Sequence, residues 1–228
     1  MSADEQKRAA GAAAAALVEN GMIVGLGTGS TAAWFVKALA ARGLDIRCVP
    51  TSVATADLAR SLGMTVIDLD EADHIDLTVD GADEIGPGLA LIKGAGAALL
   101  REKLVWTASS RCVCIADASK TGHAFGSVFP LPVEVVAFGH GKTAARMADR
   151  LAPFGIETAP VLRIKDGAPV RTDGGNLIYD VHCGAIADPP ALGTALKAVT
   201  GVVDHGLFLD LTERALIGTD DGVITLNP

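Results

Sequence analysis

Cysteine pairs are missing from this sequence at any spacing that would bind a metal or shuttle electrons. Cys48, Cys112, Cys114 and Cys183 contain no C-x-x-C, and Cys112 and Cys114 alternate along one apolar stretch, as reduced core thiols would. The five histidines, at 74, 123, 140, 182 and 205, neither pair at i, i+4 nor stand beside a cysteine at zinc spacing, so no metal is expected. Basic charge is also scarce. Lys and Arg number 19 against 27 Asp and Glu, for a net charge of −8, which leaves no broad positive field for nucleic acid or an anionic membrane. Any phosphate must be held by a local site. No apolar run reaches membrane length, and the N-terminus lacks the basic start, apolar run and cleavage site of a signal peptide, so a cytoplasmic protein without membrane partners is expected.

What is present is ample apolar material: 228 residues, 50% hydrophobic and 20% charged, enough for one large or two small domains. Asp4 to Glu19 reads as a helix capped by Asp4 and stopped by Asn20-Gly21. Met22 to Leu26 reads as a strand, and Gly27-Thr28-Gly29-Ser30-Thr31 as a turn into the helix Ala32 to Arg42. Such a turn offers backbone N–H groups and hydroxyls at a helix N-terminus, which suits a phosphate. A dinucleotide fingerprint competes poorly: after Gly25 and Gly27 the third required position is Ser30, and the nearby acid, Asp45, precedes its strand instead of ending it. Ile46 to Pro50, Val53 to Leu62 and Thr65 to Leu69 repeat strand, helix, strand, with Thr51-Ser52 as cap. This alternation predicts a doubly wound, mainly parallel α/β sheet.

The stretch from Val79 to Lys103 concentrates the chemistry. A strand over His74 to Val79 ends at Asp80, placing Asp80, Asp83 and Glu84 where a parallel sheet presents loops to a ligand. Leu89 to Ile92 reads as a short strand, and Lys93-Gly94-Ala95-Gly96 turns into a helix carrying Glu102 about a turn and a half inside. A further strand, Cys112 to Ala116, leads to Lys120. Two acids, one ammonium and another carboxylate are the parts needed for proton transfer on a small anionic substrate. The residues alone also allow a solvated glutamate between Arg101 and Lys103, and aspartates that cap their own turn.

At Phe125 the texture changes, and FGSVFPLP reads as a boundary. Beyond it the order is strand (133–137), helix (143–151), strand (159–164), strand (176–182), helix (190–198) and strand (201–203), with Gly174-Gly175 turning a hairpin. That is the β-α-β-β-α-β order of a ferredoxin-like α+β domain. The tail, around 206–209 and 215–218, is expected to rejoin the first domain. The expected division is 1–126 with 204–228 as a Rossmann-like catalytic domain and 127–203 as the smaller one. Gly141-Lys142-Thr143 imitates a P-loop, but position 136 holds valine where the motif needs glycine, which leaves a helix start with Thr143 as cap.

Taken together, GLGTGSTA at 25–32, VDGADEI at 79–85, KGAGAALLREK at 93–103, IADASK at 115–120, FPLPVEV at 129–135 and GLFLDL at 206–211 resemble ribose-5-phosphate isomerase of the A type, essentially end to end. The resemblance implies cofactor-free interconversion of ribose 5-phosphate and ribulose 5-phosphate in the pentose phosphate pathway, by a homodimer or homotetramer. It implies Glu102 as base, with Asp80, Asp83 and Lys93 as its catalytic companions. It implies substrate contacts from Thr28, Gly29, Ser30 and Thr31, from Asp80, Gly81, Ala82 and Asp83, and from Lys93, Gly94, Ala95 and Gly96. Lys7 and Lys120 match its phosphate-side lysines. Two positions depart from the family: Ala95, where glycine is common, and Leu100, where a polar residue is usual. Alanine would be strained at φ > 0, so an ordinary backbone is expected at Ala95. A sugar-phosphate sensor without turnover is the alternative from another class; no DNA-binding helix pair is evident to complete a repressor.

Overall fold

The first helix starts where Ser2 and Glu5 satisfy each other: Ser2 Oγ accepts the Glu5 N–H at 3.3 Å, and the Glu5 carboxylate accepts the Ser2 N–H at 2.7 Å. This capping box, not Asp4, begins the helix, and Asp4 instead accepts the Trp34 indole N–H at 3.0 Å. The computed structural model describes residues 1–228. The chain runs α1 (Ala3–Ala15), β1 (Ile23–Leu26), α2 (Ser30–Ala40), β2 (Arg47–Pro50), α3 (Val53–Ser61), β3 (Thr65–Val66), β4 (Leu77–Gly81), β5 (Glu84–Ile85), β6 (Leu91–Ile92), α4 (Leu99–Thr107) and β7 (Cys112–Asp117). It continues through β8 (Leu131–Val135), α5 (His140–Leu151), β9 (Val161–Leu162), β10 (Ile164–Lys165), β11 (Ala168–Pro169), β12 (Leu177–Val181), α6 (Pro189–Lys197), β13 (Val202–His205), β14 (Leu207–Phe208), β15 (Arg214–Thr219) and β16 (Gly222–Leu226).

Seven strands form the large sheet in the order β16-β15-β7-β4-β1-β2-β3, parallel except for the final β15-β16 hairpin. From β1 the chain proceeds outward to β2 and β3, then returns to β4 on the other side of β1. The order therefore reverses between β1 and β4, and such a switch point opens a crevice at the strands' carboxyl ends. Register fixes what flanks it: Leu26 lies beside Val79, so the loop after β1 meets Asp80 at the end of β4.

α1 and α2 cover one face, where Ala10, Ala14 and Val18 join Val24, Leu26, Phe35 and Leu39 in one core. The alanine run lets α1 lie close to the sheet. A side chain at Gly218 of β15 would come within 2.0 Å of the Gln6 carbonyl, so glycine there permits the approach that brings Lys7 to the sheet's edge.

The second sheet has the order β13-β8-β12-β9, antiparallel throughout, with α5 and α6 packed together; this is the split β-α-β-β-α-β unit. Its core holds Leu131, Val133, Met147, Leu151, Tyr179 and Leu192. β14 and β15 leave it for the rest of the fold, β14 beside β6 and β15 beside β7.

Several boundaries differ from the sequence expectations. α1 ends at Ala15 instead of Glu19, and β4 begins at Leu77: before it, Ile75 makes an isolated bridge, and Asp76 meets Ile23 through its N–H on the Ile23 carbonyl and its carboxylate accepting the Ile23 N–H. α5 starts at His140 after a left-handed Gly139, so Thr143 is a buried residue within the helix and not its cap. The β10-β11 and β15-β16 hairpins went unpredicted, although Asp166-Gly167 and Asp221-Gly222 are dipeptides that signal tight turns.

Candidate active site

At the switch point lies a cavity of about 110 Å³, lined by Lys7, Thr28, Gly29, Ser30, Thr31, Gly81, Ala82, Asp83, Lys93, Gly94, Ala95, Gly96, Glu102 and Lys120. Every residue predicted from the sequence to touch substrate is there except Asp80, which is fully buried beneath the cavity wall. The loops after β1, β4 and β7 and the turn into α4 bring the others together. Lys7 reaches in from α1.

One end of the cavity suits an anion. Gly29 takes φ 104°, a left-handed value open to glycine, and caps α2, so Ser30 and Thr31 are its first residues and their N–H groups face outward without intrahelical partners. Lys7 Nζ donates to Ser30 Oγ at 3.1 Å and lies 4.0 Å from Asp117. Lys120 closes a short turn that Asp117 caps by accepting the Ser119 N–H at 3.1 Å.

Thr28 contributes differently from its neighbours. Its N–H donates to Asp80 Oδ1 at 3.0 Å, and its hydroxyl lies 2.7, 2.8 and 3.2 Å from those of Thr51, Ser52 and Thr55. Its polar atoms are thus engaged below the cavity. This hydroxyl cluster escaped the sequence reading, which saw Thr51-Ser52 only as a helix cap. Gly27 completes the fit, since a Cβ there would fall 2.2 Å from Asp80 Oδ1.

The other end is a buried charge cluster. Glu102 sits in the first turn of α4, not a turn and a half inside, because the helix begins only at Leu99; its N–H donates to the Ala98 carbonyl at 2.9 Å. Lys93 Nζ stands 2.9 Å from Asp80 Oδ2 and 3.4 Å from Glu102 Oε2, and donates to the Gly81 carbonyl at 2.6 Å. These three side chains are at most 5% exposed. Phe208 and Trp106, in edge-to-face contact, line up with ring centroids 5.4 and 5.8 Å from the ammonium; neither was singled out from the sequence.

One ammonium cannot neutralise several carboxylates, and that imbalance sets their protonation. Burial raises Asp80, outweighing the nearby Lys93 ammonium and the Gly81 and Thr28 N–H groups that its Oδ1 accepts, all of which favour its ionised form. Burial pushes Glu102 up to about 8, Lys93 opposing and the charges of Asp80 and Asp83 assisting. For Lys93 itself burial favours the neutral amine, but Asp80 and Glu102 outweigh it and hold the ammonium firmly protonated. Burial likewise raises Asp83, against the Ala95 N–H that its Oδ2 accepts at 2.8 Å.

Ala95 has an ordinary φ, as expected; the left-handed alanine is Ala97, at φ 56°. Leu100 packs against the small apolar cluster of Ala97, Leu99 and Ile178, which accounts for an apolar residue there. In the loop from Lys93, the Ala95 N–H goes to Asp83 and the Ala97 N–H to the Gly94 carbonyl, while those of Gly94 and Gly96 have no protein acceptor. No group of three or more His, Cys, Asp or Glu side chains is arranged to hold a metal ion. The cavity can thus bind an anion at one end and exchange a proton at the other.

The sequence and the fold are similar to those of known proteins. A relative named ribose-5-phosphate isomerase A from Caulobacter vibrioides is 68% identical with all of both chains covered, and one from Parvibaculum lavamentivorans is 51% identical over 97% of each. Among solved structures, a D-ribose-5-phosphate isomerase in complex with phospho-erythronic acid superposes with a TM-score of 0.92 at 35% identity, covering both chains fully. The ribose 5-phosphate isomerase of Plasmodium falciparum gives 0.92 at 37% identity over 99% of each. The profile of ribose 5-phosphate isomerase A (phosphoriboisomerase A) matches residues 47–222, and the chain belongs to that family.

Proposed function

We propose that this cavity interconverts D-ribose 5-phosphate and D-ribulose 5-phosphate by proton transfer through an enediolate, with Glu102 as the base. One observation carries the assignment: a buried carboxyl group raised to about 8 stands 3.4 Å from an ammonium, at the far end of a cavity whose other end collects N–H groups and lysines. In the open-chain aldose, Glu102 removes the proton from C2, the C1 carbonyl oxygen gains negative charge, and the proton returns to C1 while the hydroxyl proton passes from O2 to O1. A single carboxylate on one face performs both transfers.

The remaining residues divide the work. Ser30, Thr31, Lys7 and Lys120 hold the phosphate, whose binding energy places C1 and C2 beside Glu102. The unpartnered N–H groups of Gly94 and Gly96, with Lys93 behind them, stabilise the oxyanion. Asp83 holds sugar hydroxyls and assists ring opening. Asp80 acts from beneath, fixing Lys93 and the Thr28 loop together. On this reading the catalytic domain comprises 1–126 with 204–228, and 127–203 form the smaller domain. A cytoplasmic homodimer or homotetramer follows from the family resemblance, supported by large apolar side chains left exposed, Phe138 at 96% foremost. No helix is long and apolar enough to cross a membrane.

The direct test is ribulose 5-phosphate formation from ribose 5-phosphate by chelator-treated protein. Turnover unaffected by the chelator is expected. Tight binding without turnover would leave a sugar-phosphate-binding domain instead.

A further inference from the structure

All fourteen side chains and backbone segments that line the cavity come from residues 7 to 120, and none from the four-stranded sheet. One side chain from that sheet nevertheless grips the cavity's wall from behind. Arg163, between β9 and β10, donates through Nη1 to the Gly94 carbonyl at 2.7 Å and to the Ala95 carbonyl at 3.1 Å. Its Nε and Nη2 pair with both oxygens of Asp180 on β12, the Nε bond at 2.9 Å. The backbone of Arg163 is fixed as well, its N–H on the Ile178 carbonyl at 2.8 Å and its carbonyl accepting from Val170 at 2.9 Å. The guanidinium is 14% exposed and Asp180 18%. A planar fork so anchored has few alternative positions.

Peptide planarity converts this grip into a statement about the cavity. The C=O and N–H of a trans peptide point in opposite directions, so a donor that fixes one fixes the other. The Gly94–Ala95 peptide is held at both ends, its carbonyl by Arg163 and its N–H by Asp83 Oδ2. In the Ala95–Gly96 peptide only the carbonyl is held, by Arg163, and the opposite N–H belongs to Gly96, which lines the cavity and has no protein acceptor. We propose that Arg163, oriented by Asp180, is a positioning residue for the isomerisation: by holding the Gly94 and Ala95 carbonyls outward it aims the Gly96 N–H at the enediolate oxygen. A charge-assisted bond to the Ala95 carbonyl also polarises that peptide and strengthens its N–H as a donor. The four-stranded sheet thereby acts on the chemistry without touching substrate.

This inference rests on the isomerase reading, and its test separates the two. Arg163→Met keeps the length of the stem and removes the donors. In that variant kcat is expected to fall about tenfold to a hundredfold. Inhibition by inorganic phosphate, which needs only the Ser30 end, is expected to stay unchanged. Inhibition by phospho-erythronic acid, which carries a carboxylate remote from its phosphate, is expected to weaken alongside kcat. Arg163→Lys, able to reach one carbonyl, should recover part of the loss. Unchanged kcat in folded Arg163→Met, or phosphate inhibition weakening in parallel with kcat, would overturn the role. If Arg163→Met does not fold, Asp180→Asn decides: the charge remains, the anchor is lost, and a smaller drop in kcat with unaltered phosphate inhibition is expected, its absence counting against the proposal. If the wild type fails to turn over ribose 5-phosphate, the isomerase reading falls, while the difference in phospho-erythronic acid binding between wild type and Arg163→Met still reports on positioning.

Discussion

The two ends of the cavity solve opposite electrostatic problems. At the anion end Gly29 and Ser30 are exposed, Lys7 is 23% exposed, and the site is assembled from lysines and free N–H groups in contact with water. At the proton-transfer end Asp80, Lys93 and Glu102 are sealed from it. A phosphate brings its own permanent charge and needs only a matching field. A general base must change charge during the reaction, and a carboxylate in water is too weak to do so near neutral pH. Burial supplies what exposure cannot, and Lys93 limits how far burial goes.

The sharpest way to break this contrast is Glu102→Gln, which removes the base and leaves the anion end intact. kcat is expected to fall by about 10²- to 10⁴-fold with inhibition by inorganic phosphate unchanged. Turnover that survives would move the base elsewhere, with Asp83 next because it lines the cavity and Asp80 does not.

pH sharpens it next. A base raised to about 8 must lose its proton to act, so kcat/KM is expected to fall about tenfold per unit as pH drops below that value. Stability should move the other way. Because the folded Glu102 holds its proton up to about 8 and the unfolded one releases it near its ordinary value of 4.5, the native state binds more protons between them. Its contribution to stability is present below the lower value and is lost as pH rises toward the upper. Glu102→Gln, neutral throughout, should therefore gain on the wild type in denaturant titrations at pH 8 relative to pH 5. An unchanged difference would mean that Glu102 is not held neutral by burial.

At the wet end the effects should be smaller. Lys7→Ala removes one partly exposed donor, so KM is expected to rise about threefold to tenfold with little change in kcat. The wild type's KM should climb with ionic strength more steeply than the variant's, because the lost attraction is the screened one. A fall in kcat instead would place Lys7 in the chemistry.

Much of the anion end was legible in the sequence because it is local: a strand, a glycine turn and a helix start specify N–H groups within a few residues. The carboxylate cluster was legible as a list of residues but not as an arrangement. Glu102 between Arg101 and Lys103 looks solvated, but on α4 it shares the buried face of Leu99, Val105 and Trp106. Asp80 looked like a substrate ligand; the close approach of Gly27 tucks it below the wall. Arg163 and Phe208 could not be found by spacing, since each reaches the site from a different sheet, 69 residues from Gly94 in the case of Arg163. Local turn chemistry writes itself into neighbours, whereas burial and long-range donors depend on topology.

The two alanines of the Lys93 loop show how fine that dependence is. Ala95 is exposed at an ordinary φ, and Ala97, two residues on, is buried at φ 56°. Glycine at an ordinary position costs stability because the unfolded chain gains freedom, by about 0.4–1 kcal/mol. At a left-handed position it also relieves a side-chain clash worth about 1–2 kcal/mol. Ala95→Gly is thus expected to destabilise slightly, while Ala97→Gly should be neutral or stabilising despite the lost buried methyl, the two separating by about 1 kcal/mol in denaturant midpoints at unchanged m. Should Ala95→Gly prove the more stable of the pair, the strain in this loop lies at residue 95, and the peptide orientation through which Arg163 is argued to act would have to be redrawn with it.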